Sequence, residues 1–377
     1  MDNKKFFENL KIWSKRKHRL LEKYLPPFSA KVASTTINRE VYCVDGFAGA
    51  AKYDDGSEGS PILMAKFSDV CANWKNNSSV NLKIINIEPD LPTFNSLETA
   101  TQDWKLKGIV ENINSRFDNS ISTVLTKIGN SPTLFFVDPF GPTGVRFSHL
   151  IPILQRRPSI TELIINFDTD GLYRIACAAV SQNNNPKTAQ TNAEIVTSII
   201  GSNNWLNQFV SSKLTTEAGE EILLREYISN ISKYGFNVVD YAIREALNKK
   251  PKYHFIYCTR HNDGVFLMND FIREEDDLIY GEYVEDNLPM FQEEASLFQE
   301  ISKRREILSN IVRSYLEENN KVSRGQIKNT LMYPHFGLFH KKDYDFAVKQ
   351  LINENLLREK TGKKRINDTD SLEYFPG

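Results

Sequence analysis

Short apolar runs that end at an acidic residue recur in the first half of the chain. The clearest occupy residues 40–45, 84–88 and 134–138 and end at Asp45, Glu88 and Asp138. Runs of this length, rich in β-branched residues, are typical of buried strands. The segments between them carry apolar residues at helical spacing, so the pattern predicts alternating strands and helices. That alternation favours a parallel sheet covered on both faces.

Two later runs, at 236–244 and 253–260, break this alternation because too few residues separate them for a crossover helix. They are therefore predicted to be antiparallel neighbours. The predicted fold class is α/β: a Rossmann-like sheet, mostly parallel with one antiparallel strand. This arrangement is typical of S-adenosylmethionine (SAM) methyltransferases and differs from that of dinucleotide dehydrogenases.

Helix signals surround these strands. An amphipathic helix is predicted over 5–25, with Pro26 and Pro27 ending it. Ser60 before Pro61 predicts an N-cap followed by proline in the first helical turn. Residues 171–235 are predicted to form a mainly helical insertion within a methyltransferase-like domain that spans 1–272.

The C-terminal part differs in character. Residues 273–299 are acid-rich and predict a linker, although a solvated helix is the alternative. Residues 300–377 predict three short helices and a hairpin, the outline of a winged helix-turn-helix. From residue 301 onward the sequence has fifteen Lys and Arg residues and ten Asp and Glu residues. This excess favours DNA or RNA contact, with Lys363 and Lys364 at the hairpin tip. A protein-docking role for the same domain stays open.

Composition narrows the class of protein without naming a function. The chain has 377 residues, 40% hydrophobic and 25% charged, with a net charge of −1, as expected for a globular protein of more than one domain. Four dispersed cysteines, with no ligand spacing, predict buried thiols in a reducing compartment. Neither a signal sequence nor a membrane-spanning run is found in the sequence, so we expect a cytoplasmic protein without membrane contact.

Several motifs in order resemble one family, the three-Cys-motif partner proteins (TcmP). They are WSKRKH at 13–18, YLPPF at 24–28, VDGFAG at 44–49, GSEGSP at 56–61, FVDPFG at 136–141 and ELIINF at 162–167, continued at 252–261. The resemblance covers about residues 5–272. It implies a methyltransferase-like fold, genes among mobile or phage-related elements, and a possible partner, the radical-SAM-like protein whose three cysteines give the family its name.

A SAM site is predicted at the first strand end. Asp45, Gly46, Phe47 and Gly49 are similar to the Asp-x-Phe-x-Gly-x-Gly loops of SAM enzymes, with Ala51 in place of the last glycine. A tight turn without a ligand is the alternative. Glu88 is predicted to accept the ribose hydroxyls, or else to stabilise the N-terminus of the next helix.

A third cofactor contact is less regular. Methyltransferases often place an acid after the third strand, against the adenine amine. Here Arg116 takes that acid's position, which leaves Asp118 as the candidate.

The predicted catalytic segment is Asp138, Pro139 and Phe140. It resembles the segments of enzymes that methylate exocyclic amines, in which the acid and a main-chain carbonyl accept the amine hydrogens and the aromatic ring stacks on the base. Such catalysis depends mostly on orientation. An acidic strand end followed by a turn is the alternative.

Other residues are candidates for substrate or phosphate contact. They are Lys17 and His18 on the first helix, and Asn166 and Arg260 at strand ends, with Asp168 and His261 beside them. A solvated helix face or simple caps would explain the same residues.

The function predicted from these residues is a SAM-dependent methyltransferase that acts on an exocyclic amine of a nucleobase in nucleic acid. The alternative is a non-catalytic methyltransferase-like accessory that binds nucleic acid or the three-Cys-motif partner. A nuclease ranks last because no carboxylate cluster has metal-site spacing.

Overall fold

The computed structural model describes residues 12–36, 38–75, 78–157, 159–181, 185–210, 215–244, 249–287, 290–359 and 366–375. The chain divides into two compact units, residues 1–261 and 262–377. Lys363 and Lys364 lie outside the described residues.

The first unit alternates strands and helices, as the apolar runs predict. The strands are β1 (Glu40–Asp45), β2 (Asn81–Ile87), β3 (Val110–Ile113), β4 (Thr133–Val137), β5 (Thr161–Phe167), β6 (Asn237–Arg244) and β7 (Pro251–Thr259). The helices are α1 (Ile12–Ala33), α2 (Ser60–Ala72), α3 (Leu91–Leu106), α4 (Phe117–Ile128), α5 (Phe147–Leu154), α6 (Thr169–Val180), α7 (Pro186–Ile200), α8 (Asn204–Val210) and α9 (Thr216–Ser232).

The seven strands form one sheet in the order β3-β2-β1-β4-β5-β7-β6. The strands β1 to β5 pair in parallel, whereas β7 is antiparallel to both β5 and β6. The predicted antiparallel pair is confirmed, and the reversed strand is β7, second from the edge. This strand order is that of a Rossmann-like methyltransferase fold, so the predicted fold class is confirmed. Parallel strands place their carboxyl ends at one edge of the sheet, where ligands bind in such folds.

Alternate residues of the strands face the two sides of the sheet. Val44, Phe135, Val137 and Ile165 belong to the main core, together with helices of the predicted insertion. Because side chains alternate along a strand, the neighbouring positions face the opposite side. That opposite side is covered by α1 and α2.

Helix α1 continues to Ala33 with Pro26 and Pro27 inside it, so the prediction that these prolines end the helix is wrong. Buried Leu25 and Phe28 anchor the helix through this region, and tertiary packing outweighs the local cost of proline. The buried carboxylate of Glu162 on β5 accepts hydrogen bonds from the hydroxyls of Tyr24 (2.6 Å) and Tyr257 (3.0 Å). This cluster fixes the register of α1 over the sheet.

The second unit contains four helices among its described residues. They are α10 (Asn262–Asn287), α11 (Met290–Glu318), α12 (Arg324–Met332) and α13 (Lys341–Asn353). Three short strands, β8 (Lys321–Ser323), β9 (Leu357–Glu359) and β10 (Ser371–Tyr374), form an antiparallel sheet in the order β8-β10-β9. From α11 onward the order is helix, strand, two helices and two strands, and the winged helix-turn-helix stays a prediction.

The boundary between the units differs from the predicted one at residue 272. It falls between His261 and Asn262, and the start of the predicted acidic linker 273–299 belongs to helix α10. Acidic residues of α10 bind bases of the same unit: Asp277 pairs with Arg273 (3.0 Å) and Arg304 (2.9 Å). These charges therefore stabilise tertiary packing, which an acid-rich composition does not reveal.

Within the described part of the chain, no helix is both long and apolar enough to cross a membrane.

Candidate active site at the carboxyl edge of the sheet

The carboxyl ends of β1, β2, β4 and β5 bring four predicted site residues to one edge. Asp45 ends β1, which is hydrogen-bonded to β2 on one side and β4 on the other. Glu88 and Asp138 each follow the last residue of their strand, and Asn166 lies near the end of β5. The carboxylates of Glu88 and Asp138 lie close enough to Asp45 to raise its pKa. These predicted residues therefore lie together, and their role as a binding site stays a prediction.

Asp45 is fully buried and organises the first loop. Its carboxylate accepts the backbone N–H of Phe47 (3.1 Å) and the hydroxyl of Ser60 (2.6 Å). Burial raises the pKa of Asp45 to about 7, although both hydrogen bonds lower it and the charge of Asp138 raises it further. Asp45 therefore takes up a proton more readily than a free carboxyl, and a nearby positive charge would favour its ionised form.

Ser60 has a different role from the predicted one. The N-cap of α2 is Gly59, and the helix has no side-chain cap. The Ser60 hydroxyl instead donates to Asp45 from the first turn of the helix. A buried carboxylate competes successfully for this hydroxyl because an unpaired buried charge costs more than an uncapped helix end.

The loop after β1 is closely packed and partly left-handed. A side chain at Gly46 would approach the Phe117 ring to 2.8 Å, and Phe117 stacks on Phe47 with 5.5 Å between ring centres. Gly49 has φ of 61° and Ala51 has φ of 64°. Ala51 therefore adopts the conformation that glycine usually provides, at a cost of about 1–2 kcal/mol. The backbone of the loop is therefore left-handed at position 51 although the residue there is not glycine.

Glu88 links this loop to the end of β2. One carboxylate oxygen accepts the N–H of Gly49 (3.1 Å) and the other accepts the N–H of Asp90 (2.8 Å). Burial raises the pKa of Glu88, whereas the two N–H groups lower it. Each oxygen retains a second acceptor position, since a carboxylate offers about four in all.

Asp118 lies at the start of α4, where the sequence places it. Its Oδ1 accepts from Arg116 Nε (3.2 Å) and from the Asn119 N–H (3.2 Å). Although burial opposes it, the hydrogen bond and charge of Arg116 lower the pKa of Asp118. The neighbouring Phe117, by contrast, packs directly against the first loop.

Asp138 is partly exposed, and Lys17 from α1 binds its Oδ2. The Lys17 ammonium also lies 4.8 Å from the centre of the Tyr253 ring, and its side chain is only 5% exposed. Oδ2 is thus engaged, whereas the structure assigns no hydrogen bond to Oδ1 within the described ranges. The Glu162 cluster, two helical turns further along α1, accounts for the position of Lys17.

The segment after Asp138 forms a compact turn. Gly141 has φ of 74°, and a side chain at Gly144 would lie 2.4 Å from Pro139. The turn leaves Phe140 46% exposed, two residues after Asp138. The catalytic role of this segment stays a prediction.

Two buried polar side chains near Asp138 have atoms without hydrogen-bond partners among the described residues. They are Asn166, at both Oδ1 and Nδ2, and His18, at Nδ1; the two residues are 5% and 7% exposed. Burial, together with the charge of Lys17, lowers the pKa of His18 to about 4, although Asp138 acts in the opposite direction. His18 is therefore neutral at pH 7.

Other candidates lie outside the site or have structural roles. Because β7 is reversed, Arg260 and His261 lie at the opposite edge of the sheet, so their placement in a substrate cleft is wrong. Arg260 donates to the carbonyl of Leu154 (2.6 Å) and covers the Phe236 ring at 3.8 Å. Asp168 accepts the Gly171 N–H (2.8 Å) as the N-cap of α6.

Sequence reasoning missed two tyrosines of the site. The same reversal brings Tyr253, at the start of β7, to the carboxyl edge. Burial raises the pKa of Tyr253 most, and the charge of Asp138 raises it further. Burial and then Asp138 likewise raise the pKa of Tyr53 in the first loop. The predicted antiparallel pair left open which of its strands is reversed, so it did not place Tyr253, and no signal singled out Tyr53.

The site can accept hydrogen bonds, position an aromatic ring and take up a proton. Within the described ranges, no group of three His, Cys, Asp or Glu residues could hold a metal ion. All four cysteines are free.

Comparisons with known proteins give only weak structural likenesses. No family model matches the chain, and no curated protein matches it. Solved structures that align with it include the O-methyltransferase TomG from Streptomyces achromogenes in complex with SAM, at 12% identity, covering 66% of this chain and 89% of that one, with a TM-score of 0.29. PKMT2 from Rickettsia typhi aligns at 10% identity over 65% and 56% of the two chains, again with a TM-score of 0.29. Likenesses this weak carry no functional argument, and the fold assignment rests on the strand order.

Proposed function

We propose that this protein is a SAM-dependent methyltransferase that transfers the methyl group to an amine, with an exocyclic amine of a nucleobase as the acceptor. The observation that carries the proposal is the meeting of Asp45, Glu88 and Asp138 at the carboxyl edge of a methyltransferase-type sheet. Membership of the TcmP family stays a prediction.

The residues of the first loop suit a nucleoside cofactor with a positive charge. Glu88 has an acceptor position left on each oxygen for the two ribose hydroxyls. Asp45 is a buried acid whose ionisation a cation would favour. The bound cofactor would supply an electrophilic methyl group on its sulfonium.

Asp138 and its neighbours suit the acceptor. Lys17 holds Oδ2 and fixes the carboxylate, which leaves Oδ1 to accept one hydrogen of the amine and align its lone pair. Phe140 offers an exposed ring on which a base can stack. His18 is neutral at pH 7 and adds no second positive charge beside Lys17.

Binding of SAM is expected to strengthen as pH rises towards 7 and to level off above it. The raised pKa of Asp45 means that the ligand-free protein retains a proton between about pH 3.8 and pH 7, and a cationic ligand expels that proton. Below pH 7 the affinity should fall by about tenfold per pH unit if ionised Asp45 is required. Calorimetry at several pH values, in two buffers of different ionisation enthalpy, measures both the affinity and the released proton.

The control is Asp45→Asn, which should bind SAM more weakly and without this pH dependence. An affinity of the unmodified protein that is independent of pH between 5.5 and 7.5 would contradict the role of Asp45. Absence of SAM binding at every pH would contradict the proposed function itself.

Nucleic-acid contact is proposed for the second unit, on one face of α13. Lys342, Phe346 and Lys349 follow one another at helical spacing and are exposed. The acids of the same helix are neutralised by bases of the unit: Asp343 pairs with Arg305 (3.2 Å) and Asp345 with Lys328 (3.3 Å). A basic face with a central aromatic ring suits phosphates and bases.

Reversing both charges, Lys342→Glu with Lys349→Glu, is expected to weaken binding of a mixed-sequence duplex or single-stranded RNA by about tenfold or more. The steepness of the plot of log affinity against log salt concentration should fall by about 0.9 for each lost phosphate contact on a duplex, and two contacts are expected to be lost. Fluorescence anisotropy at several salt concentrations measures both. The matched control reverses Lys303 and Lys321, which lie on α11 and β8; equal losses in the two double variants would refute the assignment to α13.

A second candidate function is a non-catalytic methyltransferase-like accessory that binds nucleic acid or a three-Cys-motif partner. The observation that favours it is the ion pair between Lys17 and Asp138, which occupies part of the carboxylate. The same calorimetry separates the two functions, because a scaffold that no longer uses its site has no need to bind SAM.

A further inference from the structure

The side chain of Asn166, at the carboxyl edge of the sheet, is buried without hydrogen-bond partners among the described residues. It is 5% exposed, yet neither its oxygen nor its nitrogen has a hydrogen-bond partner in the described part of the chain. Burying an amide without partners destabilises a folded protein. A strand position that can accommodate leucine or isoleucine therefore carries a polar group at a net cost to the ligand-free protein.

The position of Asn166 relates it to Asp138. The paired residues Val137 and Ile165 are the last of the β4–β5 ladder, so Asp138 and Asn166 are the next residues on adjacent strands, about 4.8 Å apart. Val137 and Ile165 both face the main core. Side-chain alternation then turns Asp138 and Asn166 to the other face, where Lys17 meets Asp138.

We propose that Asn166 recognises the ring nitrogen next to the acceptor amine, so that the substrate is an amino-substituted heterocycle and not an aliphatic amine. Asp138 Oδ1 accepts a hydrogen of the amine, and the Asn166 amide donates to or accepts from the adjacent ring atom. A carboxamide offers one donor and one acceptor side by side, as the edges of adenine, cytosine and guanine do. An aliphatic amine has no atom to satisfy the amide.

This inference rests on the proposed function, and its first test needs no substrate. Asn166→Leu keeps the side-chain shape and removes the unpartnered groups, so the melting temperature of the ligand-free protein should rise by about 2–4 °C. The control is Asn230→Leu: Asn230 is equally buried but donates to the carbonyl of Ile200 (2.9 Å), and its replacement should lower the melting temperature. A lower melting temperature for Asn166→Leu would show that the amide is used within the fold and would overturn the proposal.

The second test uses cytidine and adenosine as probes, titrated into full-length protein saturated with S-adenosylhomocysteine. Asn166→Leu should weaken nucleoside binding by about tenfold and leave the affinity for S-adenosylhomocysteine unchanged. An aliphatic amine, such as N-acetyl-lysine amide, should not compete. Equal nucleoside affinity in both proteins, or competition by the aliphatic amine, would overturn the inference. Failure to bind S-adenosylhomocysteine would instead refute the proposed function, and the nucleoside titration can then be run without it.

Discussion

Replacing Asp138 by asparagine is expected to lower the rate of methyl transfer by about 10²- to 10³-fold. The carboxylate is the group placed to accept a hydrogen of the amine, and asparagine offers one neutral acceptor in place of two charged ones. Lys17 would also lose its counter-ion while remaining buried. Single-turnover transfer of labelled methyl from SAM to an oligonucleotide measures the rate, and calorimetry above pH 7, where Asp45 is ionised in both proteins, should give an unchanged SAM affinity.

Asp168→Asn is the matched control for this substitution. It makes the same chemical change at the end of the next strand, where the carboxylate caps α6 and accepts the Gly171 N–H. Asparagine caps helices as well as aspartate does, so activity should be retained. A similar loss in both variants would mean that general damage to this edge, and not the Asp138 carboxylate, explains the effect.

Replacing Glu88 by glutamine is expected to weaken SAM binding by about 100-fold. The two carboxylate oxygens accept N–H groups of Gly49 and Asp90, whereas glutamine can accept at only one position and presents an NH₂ group to the other. Loss of a hydrogen bond to a charged group costs about 1.5–3 kcal/mol, and ribose recognition is lost with it. Calorimetry measures the affinity, and chemical denaturation measures the change in stability.

The matched control is Glu98→Gln on α3. Glu98 is also held by hydrogen bonds, from Lys105 and from Asn112 (2.9 Å), but it lies on a helix and not at a strand end. Its replacement should leave the SAM affinity unchanged. If Glu88→Gln binds SAM normally, Glu88 only supports the loop, and the helix-dipole interpretation of this acid is the better one.

The alternation of strands and helices and the antiparallel pair could be predicted from sequence because both depend on local patterns. Apolar runs indicate the buried strands, and a short connection indicates the antiparallel pair. The persistence of α1 through Pro26 and Pro27 could not be predicted, since it depends on residues far away in sequence. The same holds for Ser60, whose hydroxyl serves Asp45 because the fold brings the two together.

The positions of Arg260 and Tyr253 depend on the direction of one strand. Both lie at the ends of β7, and the prediction was only that β6 and β7 pair antiparallel. The structure shows that β7 is the reversed strand, which brings Tyr253 to the edge that holds Asp138 and takes Arg260 to the opposite edge. Roles within the site, such as the contact of Lys17 with Asp138, needed side-chain geometry.

The attachment of α1 to the sheet also has a consequence for how the site forms during folding. Tyr24 meets Glu162 across 138 residues of sequence and Tyr257 across 233, whereas the contact of Gly49 with Glu88 spans only 39. Contacts between distant residues close large loops and form slowly. We therefore expect the contact between Gly49 and Glu88 to form from one local segment early in folding. The packing of α1, which carries Lys17 to Asp138, needs nearly the whole first unit and is expected to form last.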